Sequence, residues 1–208
     1  ACFLLRHPQG NVLFDTGCHP DTATDPEGRW GGMAKMMTLV SPADENLIAD
    51  LARIGVGTDD IDVVVNSHFH TDHCGCNAFF KRATIVCHAK ELEAASAPDA
   101  VKAGFVDADW KHPNRFDTFE GQKDLFGDGK IVALPLPGHT PGMSGALVQL
   151  ERSVGDHVLD QLPLGERCAK RLPLVGVGGG KLQAALDDAG RARAVSGFFG
   201  GARRGDYE

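Results

Sequence analysis

Apolar positions along the chain fall into short runs broken by turn-forming residues. Cys2 to Arg6 and Asn11 to Asp15 flank His7-Pro8-Gln9-Gly10, the pattern of a β-hairpin closed by a Pro/Gly turn. Residues 16–43 mix Gly, Pro, Asp and Thr with Met33, Met36 and Met37 and predict a long loop, a feature uncommon in compact domains unless it serves function. Ser41-Pro42-Ala43-Asp44 predicts a helix start, with a capping Ser, a first-turn Pro and an Asp suited to the positive end of the helix dipole. Leu47, Ile48, Leu51 and Ile54 give that helix one apolar face, and Gly55 ends it. Ile61 and Val63 to Val65 read as a buried strand, as does Ala83 to Cys87, which runs into a helical stretch from His88 to Ala95. Asp128-Gly129 turns the chain into a strand from Lys130 to Pro137, and Ser144 to Leu150 alternates as another. Strands alternating with helices indicate an α/β layered fold.

Composition narrows the function classes. The 208 residues carry a formal net charge of −7 with 42% hydrophobic residues, which suits one soluble globular domain over residues 1–208. An acidic chain lacks the clustered Lys and Arg of a nucleic-acid surface, and no apolar run approaches the roughly 18 residues of a membrane helix. The expected setting is cytoplasmic, with a small-molecule substrate, no nucleic acid, no membrane and a homodimeric assembly. Cys2, Cys18, Cys74, Cys76, Cys87 and Cys168 lack framework spacing and read as reduced thiols. No signal peptide is visible, and a start at Ala1-Cys2 without Met reads as a missing N-terminus. Residues 154–208 read as atypical: from position 151 onward there is no Ile, Thr, Asn, Met or Trp, and Gly, Arg, Ala and Leu replace them. That shift is what GC-rich codons give when read out of frame; a genuine Gly-rich segment is the alternative.

The candidate chemistry lies in Asn66-Ser67-His68-Phe69-His70-Thr71-Asp72-His73-Cys74-Gly75-Cys76, directly after the Val63 to Val65 run. Three imidazoles and one carboxylate fall within six positions. On a turn leaving a strand, residues two apart can face one cavity, so His68 and His70 can grip one cation while Asp72 and His73 reach a second. Imidazole nitrogen and carboxylate oxygen are donors that zinc accepts. Pro137-Gly138-His139-Thr140-Pro141-Gly142 adds a histidine on a turn held by Gly and Pro, and three histidines leave one position for water, the layout of a catalytic zinc site. Phe14-Asp15-Thr16-Gly17 also matches the aspartic-protease triplet, but occurs once where two facing carboxylates are needed. Cys74 and Cys76 read as small packing residues, and Gly176 to Lys181 lacks the spacing of a phosphate loop.

His-x-His-x-Asp-His after a strand, with a later Gly-His-Thr-Pro-Gly, resembles the metallo-β-lactamase superfamily. Gly10 to Pro20 and Asp72-His73-Cys74-Gly75-Cys76-Asn77 are most similar to its N-acyl homoserine lactone lactonases, over about residues 1–153. The resemblance implies an αβ/βα sandwich, incomplete at its N-terminus and atypical after about residue 150. It implies two zinc ions: His68, His70 and His139 on the first, Asp72 and His73 on the second, and Asp160, 21 residues after His139, as the bridge. Asp15 would support the metal loop by fixing a ligand imidazole. The family's final histidine has no match here, since no His follows position 157. The implied reaction is hydrolytic opening of a lactone by attack of a metal-bound hydroxide, with Asp72 as the catalytic residue that handles the proton. Trp30 and the three Met residues could line an acyl-chain groove or simply pack the loop. A thioesterase of the glyoxalase II kind is the alternative activity, and a truncated, non-catalytic remnant the alternative class.

Overall fold

The computed structural model describes residues 2–35, 44–149 and 175–177. The opening hairpin is as the sequence predicts: β1 (Cys2–His7) runs antiparallel to β2 (Gly10–Phe14), with His7 opposite Gly10. Strands β3 (Val63–Val65), β4 (Thr84–His88) and β5 (Phe116–Phe119) then add in parallel to β2. A second sheet stacks β6 (Lys123–Asp124), β7 (Ile131–Pro135) and β8 (Ser144–Val148) antiparallel. A last strand, β9 (Val175–Val177), pairs antiparallel with β1 and completes the order β5-β4-β3-β2-β1-β9. Three residues of the compositionally atypical tail thus join the main sheet by backbone pairing.

Successive strand residues point to opposite faces, and here both faces are buried. Leu4, Leu13, Val64 and Ile85 face the helices, packing with Leu47, Leu51, Phe69, Phe80 and Trp110. Their neighbours Leu5, Val12, Val65 and Val86, with Phe119 of β5, face the second sheet, against Ile131 and Ala133. This two-sided burial explains why the strands read as nearly continuous apolar runs.

Two expectations are corrected. The segment expected to be one long loop holds α1 (Pro26–Trp30) between 3₁₀ turns at Pro20–Ala23 and Gly31–Lys35. Asp25 caps α1 by accepting from the Gly28 N–H at 2.9 Å, and Pro26 occupies the first position, where its missing N–H costs nothing. The next helix, α2 (Leu47–Arg53), is capped by Asn46, which accepts from the Ala49 N–H at 3.0 Å, and not by Ser41. Ser41, Met36 and Met37 lie outside the described residues, while Trp30 is buried and belongs to the packing.

The remaining helices are short: α3 (Thr71–Cys74), α4 (Ala89–Ala95) and α5 (Asp107–Trp110). His88 caps α4, with the Lys90 N–H donating to its Nδ1 at 3.1 Å. Among the described residues no helix is long and apolar enough to cross a membrane.

Candidate metal centre

The parallel strands β2 and β3 end side by side, and the loops leaving them carry the site. Asp15 follows β2 with φ of 59°, a left-handed conformation that a side chain tolerates only when its surroundings hold it there. Three bonds do so. Its carboxylate accepts from the Ser67 N–H at 2.7 Å and the Ser67 hydroxyl at 2.8 Å, and pairs with His73 Nδ1 at 2.8 Å. The loop after β2 is thereby tied to the loop after β3.

The partners of each ring fix which nitrogen faces inward. Because the Ser67 hydroxyl donates to Asp15, its oxygen is left to accept from His68 Nδ1 at 3.0 Å. His68 Nε2 is then buried with no hydrogen-bond partner, an orphan that a cation would satisfy. His73 uses Nδ1 on Asp15, which leaves Nε2 free to point at Asp72 Oδ2, 3.4 Å away. His70 Nε2 meets the Ala103 carbonyl at 2.9 Å; a carbonyl only accepts, so this nitrogen carries the proton and Nδ1 faces inward. Gly104, at φ +91°, lets the chain turn so that this carbonyl reaches His70. His70 Nδ1 lies 2.9 Å from His139 Nε2, contributed by the turn after β7.

Two donor groups result. Atoms of His68, His70 and His139 lie within 4.8 Å of one another, and so do atoms of His68, Asp72 and His73. These are the residues singled out by spacing, and His68 is common to both groups. Asp160 lies outside the described residues. Cys74 and Cys76 are fully buried and join neither donor group, in keeping with packing roles.

Burial pushes the His68 imidazole down to about 2, aided by the neighbouring His73 and His70, so it is neutral and ready to ligate. Burial likewise lowers His70. Burial also acts to lower His73, but the Asp15 charge and hydrogen bond, with Asp72 beside it, outweigh that and raise it to about 10. Asp72 is pushed up by burial but held below the ordinary carboxylate range by its hydrogen bond to His73 and that ring's charge.

In the metal-free chain these shifts oppose each other. His68 and His70, lowered from 6.5, contribute stability that is present above pH 6.5 and lost as pH falls below it. His73, raised from 6.5, contributes stability that is full below pH 6.5 and lost as pH rises through about 10. Urea midpoints of the metal-free chain are therefore expected to be highest near pH 6.5. A midpoint climbing steadily from pH 6.5 to 9 would contradict the His73–Asp15 pairing.

Sequence reasoning missed Glu91, which is fully buried below the site and accepts hydrogen bonds from both histidine loops. The available signal was position: Glu91 sits four residues before the core residue Ala95, on the same helical face. It also missed Asp109, buried against Arg29.

Residues 1–150 match the metallo-beta-lactamase superfamily. The chain is 34% identical to the N-acyl homoserine lactonase AttM of Azorhizobium caulinodans over 157 residues, covering 73% of this chain and 60% of that protein. It is 31% identical to an N-acyl homoserine lactonase of a Bacillus species over 156 residues, covering 73% and 59%. In three dimensions it resembles an N-acyl homoserine lactone hydrolase with the product N-hexanoyl-L-homoserine bound at its catalytic metal centre. There the TM-score is 0.60 at 26% identity, over 73% of this chain and 59% of that one. The chain thus spans about three-fifths of the length of the relatives it matches.

Proposed function

The chain belongs to the metallo-β-lactamase superfamily, and from that membership we propose that it acts as a zinc-dependent hydrolase opening the ring of N-acyl homoserine lactones. The observation that carries this reading is His68: a buried imidazole with an unpartnered Nε2, in one donor group with His70 and His139. His68, His70 and His139 would hold one cation, and Asp72 and His73 a second. The relatives described above are N-acyl homoserine lactonases, which favours a lactone over a thioester.

A divalent cation held there supplies Lewis-acid polarisation of the scissile carbonyl and lowers the pKa of a water towards ~7. The rest falls to the chain. Asp15, through Ser67 and His73, keeps the imidazoles in the tautomers that present Nε2 of His68 and His73. The Ala103 carbonyl does the same for Nδ1 of His70. Asp72 is ionised, its side chain is 59% exposed, and it lies beside His73, so it can accept a proton from the attacking water at a carboxylate oxygen. It would return that proton to the ring oxygen as the ester bond breaks.

The test is Zn²⁺ content per chain together with turnover of N-hexanoyl homoserine lactone and of a glutathione thioester. Bound zinc and conversion of the lactone to its ring-opened carboxylate, with the thioester untouched, is the expected result. Thioester cleavage alone would move the reading to a glyoxalase II-like thioesterase, and a chain binding no zinc would be a non-catalytic remnant.

A further inference from the structure

Two loops that are far apart in sequence must meet for the His68–His70–His139 trio to form. Glu91, on α4, lies beneath that meeting point with no exposed surface. Its Oε1 accepts from the N–H of Phe69, the residue between His68 and His70, at 2.9 Å. Its Oε2 accepts from the Thr140 hydroxyl at 2.6 Å and the Gly142 N–H at 3.1 Å, on the loop of His139. A carboxylate only accepts and all three partners are donors, so each of the three bonds is matched. The contact is also close: a Cβ on Gly142 would lie 2.2 Å from the Glu91 nitrogen and 2.5 Å from its Cβ, so only glycine lets this loop rest on α4.

We propose that Glu91 is a positioning residue that sets the spacing of His139 against His68 and His70, and with it the cation affinity of that trio. This rests on the trio being a metal site, as proposed above. The role is local to the trio, because His73, with Asp72 beside it, is held by a different carboxylate, that of Asp15. The two loops are also joined by the Ser144 N–H donating to the Ser67 carbonyl at 2.7 Å, so a variant at Glu91 keeps a second link between them.

Glu91→Gln places an amide NH₂ against either the Phe69 N–H or the Thr140 and Gly142 donors, breaking one side of the bridge. Thr140→Val removes a single donor and is the milder variant; Thr140→Ser keeps the hydroxyl. Zn²⁺ is titrated into the metal-free full chain by calorimetry, and His139→Ala identifies the binding step that belongs to the trio. Glu91→Gln and Thr140→Val are expected to weaken that step by about 10–100-fold, while Thr140→Ser stays within about threefold of the parent. Asp15→Asn should weaken both steps, since Asp15 holds His73 directly and His68 through Ser67. Unchanged affinity in both Glu91→Gln and Thr140→Val overturns the proposal, as does an equal loss at both steps that tracks a fall in the urea midpoint. Failure of the parent chain to bind Zn²⁺ at all overturns the metal reading itself, and is distinct from either.

Discussion

His68→Ala is expected to release the zinc held by the His68–His70–His139 trio and to lower lactone opening by on the order of 10³-fold or more, about 4 kcal/mol of barrier. The size follows from position. Without His68 the trio keeps only His70 and His139, two donors where a bound zinc ion needs at least three. Its ring is neutral at any ordinary pH, its Nδ1 is occupied by Ser67, and its Nε2 has no other partner. Alanine supplies no substitute donor. Metal content by elemental analysis and turnover are to be read together, with His7→Ala as the control, since His7 pairs with Asp128 away from the site. Zinc content and turnover at parental levels in His68→Ala would remove the basis of the metal-site assignment.

The largest expected effect on stability is at Asp109. This carboxylate has no exposed surface and forms an ion pair with Arg29, whose guanidinium also donates to the Ala108 carbonyl at 2.7 Å. Burial raises the Asp109 carboxyl and the Arg29 charge holds it back, so the two depend on each other. Asp109→Ala leaves the guanidinium without its counter-charge in a largely buried position, at a cost of about 3–5 kcal/mol. For a chain of this size that corresponds to a drop of roughly 10 °C in the unfolding midpoint. Pairing Asp109→Leu with Arg29→Met removes both charges and should recover most of the loss. If Asp109→Ala melts with the parent, the pair contributes no more than a surface contact.

The difference between what could and could not be read in advance is one of range. His68, His70, Asp72 and His73 occupy a single turn after β3, so their convergence is a local matter that spacing captures. His139 is legible because Gly and Pro pin its turn. Glu91 and Asp109 are not, because an acidic residue on a short helix looks solvated until the partner arriving from elsewhere is known. The helix at Pro26–Trp30 is a different omission: Asp25-Pro26-Glu27 carries the same cap, proline and acidic first turn used to place a helix at Ser41. There a dense scatter of Gly and Pro outweighed a sound local cue. The parallel sheet was foreseeable from its apolar runs, whereas the pairing of β9 with β1 rests on backbone bonds that any extended segment can make.

The separation of the two histidine loops has a kinetic meaning. His70 and His139 touch across 69 positions, with β4, β5, β6 and β7 between them. Closing so long a span is slow, and no unfolded chain holds the trio together by chance. A cation that requires all three therefore arrives late, once the parallel strands have assembled, and binds the finished topology in preference to its precursors. Uptake of the ion during refolding would thus serve as a clock for the last step of assembly, and chelation would shorten the lifetime of the native state without altering how fast it is reached.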